Sequence, residues 1–118
     1  MYSPALWSYF HNTAHRGVLE DANASGQSQY PRCGDRLRLD LKIEGERIVS
    51  ARYQAYGCGA VVAAASLGTE LLTDLTVEQA RQLSSFQLDE KLGGLPPSKR
   101  HAYLMFLECL HEALPPSK

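Results

Sequence analysis

From Arg36 to Ile43 the chain reads Arg-Leu-Arg-Leu-Asp-Leu-Lys-Ile, eight residues in strict polar–apolar alternation. Successive side chains of an extended strand point to opposite faces, so this period of two predicts a half-buried strand with Leu37, Leu39, Leu41 and Ile43 facing a core. Glu44-Gly45-Glu46 supplies a turn, and Arg47–Tyr56 returns as a second segment rich in β-formers. An antiparallel hairpin is the expectation. A half-buried hairpin needs something on its apolar face, and the sequence that follows offers it. AVVAAASLGTELL, after Gly57-Cys58-Gly59, is small, apolar and too long for another simple strand, which predicts a buried helix from about Gly59 to Thr73.

The other segments carry helix punctuation. Ser3-Pro4 is a capped start with proline in the first turn; Leu6, Phe10 and Ala14 give a modest stripe, ended by Gly17. Residues 21–29, DANASGQSQ, are polar and turn-rich and predict a surface loop. Thr76-Val77-Glu78-Gln79 is a capping-box pattern opening a short helix, and another short helical segment around Leu88–Leu92 ends at Gly93-Gly94. Leu95-Pro96-Pro97 predicts an extended lead-in to a last helix, Ser98 to about Ala113. Its residues Ala102, Met105, Phe106, Cys109, Leu110 and Ala113 form one core-facing stripe. The fold class expected is α+β, a small antiparallel β-sheet packed against several α-helices, in one domain spanning residues 1–118.

Composition narrows the function classes. With 44% hydrophobic and 21% charged residues the chain is not of disordered type, and a net charge of -1 gives no general electrostatic reason to bind nucleic acid or a membrane surface. The longest apolar runs, Ala60–Ala65 and Ala102–Leu107, fall far short of the ~20 residues that span a bilayer. The N-terminal MYSPALWSYFHNTAHRG has neither a basic leader nor a small-residue cleavage site, so a cytoplasmic protein is expected. Three cysteines, an odd total, then point to free thiols rather than a disulfide framework.

Two of those cysteines, in Cys33-Gly34-Asp35 and Gly57-Cys58-Gly59, adjoin glycines, which leave room close to the backbone. In an extended chain Cys33 and Asp35 would point the same way. Cys58 falls at a helix N-terminus, where unpaired N–H groups and the helix dipole favour an anionic sulfur. His101 falls in the first turn of the last helix. Two thiols, a carboxylate and an imidazole make a tetrahedral set for zinc, or four end ligands for a small iron–sulfur cluster. On spacing alone the alternative is two buried thiols, a surface Asp and a surface His, because the four are scattered over about seventy residues with no Cys-x-x-Cys pair. Cys109, on the core-facing stripe, is expected to be a small buried hydrophobe.

Tyr2-Ser3, Cys33-Gly34-Asp35, ARYQAYGCGAVVAAASLGTE (Ala51–Glu70) and LPPSKRH (Leu95–His101) together resemble, in order and spacing, the iron–sulfur cluster scaffold family of the IscU and NifU N-terminal type. The resemblance implies a site built from Cys33, Asp35, Cys58 and His101. It implies a non-enzymatic scaffold or carrier that binds a [2Fe-2S] cluster or its iron, with zinc as another occupant of the same site. It also implies a cysteine desulfurase as sulfur donor, recipient apo-proteins, and a DnaK-type chaperone with its co-chaperone contacting Leu95, Pro96, Pro97, Ser98 and Lys99. The family pattern ends in His-Cys, whereas this chain has His101-Ala102. Cys109 lies seven residues further on, about 10.5 Å along a helix axis from position 102, and does not replace the missing thiol. A second reading therefore stands beside the first: a degenerate, zinc-binding family member that acts as an interaction or regulatory protein of the assembly machinery. A third, a cysteine nucleophile at Cys58 activated by His101 and oriented by Asp35, ranks last. LPPSK recurs at Leu114–Lys118, where it is expected to be a helix stop with a frayed tail.

Overall fold

In the computed structural model, which describes residues 2–30 and 34–116, helix α1 (Pro4–His11) comes first. Strands β1 (Ala24–Tyr30), β2 (Asp35–Glu44) and β3 (Arg47–Tyr56) follow, then α2 (Gly59–Leu72), α3 (Val77–Arg81), α4 (Ser85–Leu92), a 3-10 turn (Pro97–Lys99) and α5 (His101–Ala113). The strands form an antiparallel sheet in the order β1-β2-β3. The α+β class holds: one sheet face carries the helices. Leu37, Leu39 and Leu41 point into the core with Ala51, Tyr53 and Ala55 from β3. The alternation breaks at a register shift between Lys42 and Ile43, which leaves Ile43 half-buried.

Helix α2 is buried from Ala60 to Thr69 and runs through the middle of the molecule, touching α1, β3, α4 and α5. Its small residues permit that crowding. A Cβ at Gly68 would lie 2.3 Å from the Phe106 ring of α5. Capping boxes on Thr76 and Ser84 open α3 and α4, and Gly93 in the left-handed region (φ 79) closes α4. Helix α4 thus begins earlier than the apolar pattern around Leu88–Leu92 suggests, because the only large apolar residue of its first turn, Phe86, is exposed and off the core-facing stripe.

Four expectations need correction. Of the loop expected over residues 21–29, all from Ala24 on belongs instead to strand β1, which runs to Tyr30 and pairs with β2 from Ala24↔Leu41 to Tyr30↔Asp35. The sheet face of β1 that meets α5 carries the small residues Ala24, Gly26 and Ser28, with a large side chain only at its last residue, Tyr30. A Cβ at Gly26 would lie 2.0 Å from the Cys109 carbonyl oxygen, so α5 packs against bare backbone there and the usual hydrophobic signal is missing. The first helix ends at His11, before Ala14. The chain continues as Thr13–Gly17 along the free edge of β3, with Tyr53 N–H donating to His15 O (2.9 Å) and Gly17 N–H to Tyr53 O (2.8 Å). Residues Pro97–Lys99 form a 3-10 turn and the last helix starts at His101, not Ser98. Finally, the second Leu-Pro-Pro stops α5 as expected, but Leu114 is buried and Pro115 O accepts a hydrogen bond from Arg81, so the tail is held at its start although Pro115 and Pro116 are exposed.

Candidate metal centre

Four chain segments end at one rim of the sheet: β1 at Tyr30, β2 at Asp35, β3 at Tyr56 and, turned through Gly57, the start of α2 at Cys58. The first residue of α5, His101, closes the rim from the helix side. The donor atoms of Asp35, Cys58 and His101 lie within 4.8 Å of one another there, 66 residues apart in sequence at their widest.

Asp35 is the hub. It is 1% exposed, so the reading of it as a surface carboxylate is wrong. A carboxylate at that depth needs hydrogen bonds to offset lost hydration. Oδ1 accepts the Cys58 backbone N–H at 3.1 Å, one of the unpaired donors at the α2 N-terminus, and Oδ2 lies 2.9 Å from His101 Nε2 and 3.8 Å from Cys58 Sγ. Cys58 is the N-cap of α2 with extended backbone (φ -71, ψ 162), and its side chain makes no capping hydrogen bond, which leaves the sulfur to face the carboxylate. The His101 side chain is 10% exposed. Its ring stacks on Tyr30, with centroids 4.2 Å apart and an interplanar angle of 17°.

Gly57 makes the closure possible. Its φ of 144 is a conformation that L side chains rarely adopt, and a Cβ there would stand 2.1 Å from Asp35 Oδ1. The room that glycine leaves beside Cys58 is taken by the carboxylate of another strand. Neither Gly57 as a spacer nor Tyr30 as a stacking partner is apparent from sequence: the first signal is only a glycine next to cysteine, the second only an aromatic at a strand end.

The predicted residues divide as follows. Asp35, Cys58 and His101 converge. Cys33 lies outside the described residues; the neighbouring Gly34 has φ 70, so the backbone before Asp35 is turned rather than extended. Ala102 is fully buried and has no donor atom to offer. Cys109 is buried in the core against Ser28 Oγ and Leu37 O, both 3.4 Å from its sulfur, and burial pushes its thiol up to about 11. In the LPPSK segment Leu95 is buried, Pro96 and Lys99 are half-buried, and Pro97 and Ser98 are exposed. Leu95 N–H donates to Asp89 Oδ1 (3.0 Å), which also accepts from Tyr103 OH (2.6 Å). The segment is therefore not an exposed extended peptide over its whole length, because its leucine is a core residue tied to α4.

The chemistry open to this cluster follows from its donors. Sulfur, nitrogen and oxygen within 4.8 Å of one another, about the span of one coordination shell, suit zinc, iron or an iron–sulfur cluster. A nucleophilic triad would want the imidazole beside the thiol and the carboxylate behind the imidazole. Here the carboxylate stands in contact with both.

A small α+β domain whose strand and helix ends gather a thiol, a carboxylate and an imidazole has the donor set of a candidate metal centre. The family profile described as NifU-like N terminal domain matches residues 1–116, and the chain belongs to that family. The iron–sulfur cluster assembly scaffold protein IscU of Aquifex aeolicus is 37% identical over 115 residues, covering 96% of this chain and 73% of the relative. The nitrogen fixation protein NifU of Trichormus azollae is 35% identical, and there 96% of this chain corresponds to 40% of the longer protein. Among solved structures, one described as a candidate cluster assembly scaffold for a SUF system, from Fervidobacterium islandicum, superposes with a TM-score of 0.81. It is 20% identical, covers 97% of this chain and 96% of that one, and shows the shared fold. Among the described residues no helix is long and apolar enough to cross a membrane.

Proposed function

We propose that this chain is an iron–sulfur cluster assembly scaffold that holds a [2Fe-2S] cluster, or the iron for one, as cargo and passes it to recipient apo-proteins. The observation that carries the reading is the convergence of Asp35, Cys58 and His101 at the N-termini of α2 and α5, with Cys33 as the fourth ligand proposed from the sequence. On this reading the protein is not an enzyme; a cysteine desulfurase supplies the sulfur, and Cys33 or Cys58 accepts it. Iron bound by fewer thiolates is held less tightly, because soft ligands favour cluster iron, and a loosely held cluster suits a carrier.

Contact with a DnaK-type chaperone and its co-chaperone belongs to the same proposal. Pro96–Lys99 offer the surface part of the motif, and engagement of Leu95 requires local opening around Asp89. The donorless Ala102 favours a second reading, a zinc-binding regulator of the assembly machinery, since a mixed sulfur, nitrogen and oxygen set is also a zinc set.

Anaerobic reconstitution with iron and sulfide, followed by visible absorbance and by iron and zinc determination per chain, separates the two. The scaffold reading expects cluster absorbance that is lost in Cys58→Ser. Stoichiometric zinc that resists exchange supports the second reading, and a protein that takes up neither metal overturns both.

A further inference from the structure

Tyr30 and Asp35 are directly paired residues at the last rung of the β1–β2 ladder, so their side chains leave the same face of the sheet. His101 descends onto that face from α5 and is gripped by both. The carboxylate meets the imidazole edge at 2.9 Å, and the phenol ring covers its face at 4.2 Å. The rung therefore fixes two different degrees of freedom of one side chain. Asp35 sets where the nitrogen edge points; Tyr30 sets the tilt of the ring plane.

We propose that Tyr30 is a positioning residue for cargo binding, stacking on His101 so that the imidazole keeps its nitrogen edge toward Asp35 and Cys58. The inference rests on the reading of this rim as a metal centre. An unstacked imidazole would sample rotamers about two side-chain torsions, and each orientation that turns the nitrogen away is lost to coordination. The stack removes those orientations before the metal arrives. It also keeps water off one face of the ligand, which with Asp35 explains a side chain left only 10% exposed at the molecule's rim. Position 102, next in the chain, contributes no donor, so the imidazole carries a larger share of the hold on the cargo and its orientation matters more.

Cobalt(II) titration under anaerobic conditions tests this with the metal itself as probe, read by its d–d bands and by its thiolate charge-transfer absorbance. Removing groups that orient metal ligands typically weakens affinity about 10- to 100-fold, and the low end is expected for Tyr30→Ala, with d–d bands changed in position or intensity. Tyr30→Phe keeps the ring and should restore both affinity and spectrum. In a His101→Ala background, Tyr30→Ala should have no further effect. Tyr30→Leu, judged by far-ultraviolet circular dichroism, stands in if Tyr30→Ala does not fold. Unchanged cobalt affinity in Tyr30→Ala, or an equal loss with and without His101, overturns the proposal. A wild-type protein that binds no cobalt overturns the metal-centre reading itself, and this inference with it.

Discussion

Gly57→Ala is the most informative single substitution, because two independent penalties meet at one atom. The first is local: a non-glycine residue at φ 144 carries about 1–3 kcal/mol of backbone strain. The second is a collision. The new Cβ would stand 2.1 Å from Asp35 Oδ1 and 2.7 Å from its Cγ, so the carboxylate must leave the position where it accepts the Cys58 N–H and meets His101. Hydrogen bonds to a charged group contribute about 1.5–3 kcal/mol each, so losing both costs about 3–6 kcal/mol and, with the strain, about 4–9 kcal/mol. Against a total stability on the order of 6–18 kcal/mol for a chain of this length, that is a large share. Urea unfolding should show the midpoint falling by roughly 1–3 M for each 3 kcal/mol at unchanged slope. Combining Gly57→Ala with Asp35→Ala isolates the collision. With the carboxylate gone, Gly57→Ala should cost the dihedral part and a residual tight contact with the remaining Cβ at position 35 (3.0 Å), and the difference is the coupling between the two sites. Strictly additive effects, or a single-variant cost below about 0.5 kcal/mol, would refute the assignment of Gly57 as the spacer for Asp35.

Three further predictions concern the frame around the site. Gly26→Ala puts a methyl 2.0 Å from the Cys109 carbonyl oxygen, which is backbone and cannot rotate aside; a loss of about 1–3 kcal/mol is expected in denaturant unfolding, and a neutral result would mean that α5 is not seated on β1. Cys109, its thiol raised to about 11 by burial, should resist alkylation in the native protein at pH 8 and react only after unfolding, as peptide mass spectrometry would show; rapid native labelling would contradict its placement. Asp89 is held below the usual carboxylate range by the Tyr103 hydroxyl, with help from Leu95 N–H and Arg100. A lowered folded pKa means that its stabilisation is complete above the ordinary carboxylate value of about 4 and is lost as pH falls below it. The stability gap between wild type and Asp89→Ala should therefore shrink on acidification, and a gap constant from pH 7 to pH 3 would sink the assignment.

The sequence made some parts of this molecule legible because local and tertiary preferences agree there. Arg36–Lys42 follow their alternation and pair with the β-formers of Arg47–Tyr56, up to the register shift at Ile43, and the apolar run after Cys58 becomes α2 with Cys58 at its N-cap. The stripe of α5 was legible too, but its start only to within a turn, because Ser98 and Lys99 belong to the 3-10 turn and the helix begins at His101. Strand β1 was not legible. Its buried positions hold small residues chosen for a helix seated on backbone, and period-two hydrophobicity registers only large side chains. The depth of Asp35 was hidden for a related reason, since a charged residue beside a glycine reads as a turn until the helix that roofs it is in place. Gly57 and Tyr30 act across chain separations of 22 and 71 residues, on Asp35 and His101, and no local pattern encodes such contacts.

Delivery of an intact cluster is the property that most directly distinguishes a scaffold from a site that merely binds metal. The protein loaded with iron and sulfide, freed of excess reagents and mixed with an apo-acceptor of [2Fe-2S] type in the presence of an iron chelator, should convert the acceptor faster than the chelator gains iron. The same mixture made with Cys58→Ser should yield no cluster-bearing acceptor. If the chelator captures all the iron while the acceptor stays apo, the cargo is not delivered as a cluster and the scaffold account is contradicted.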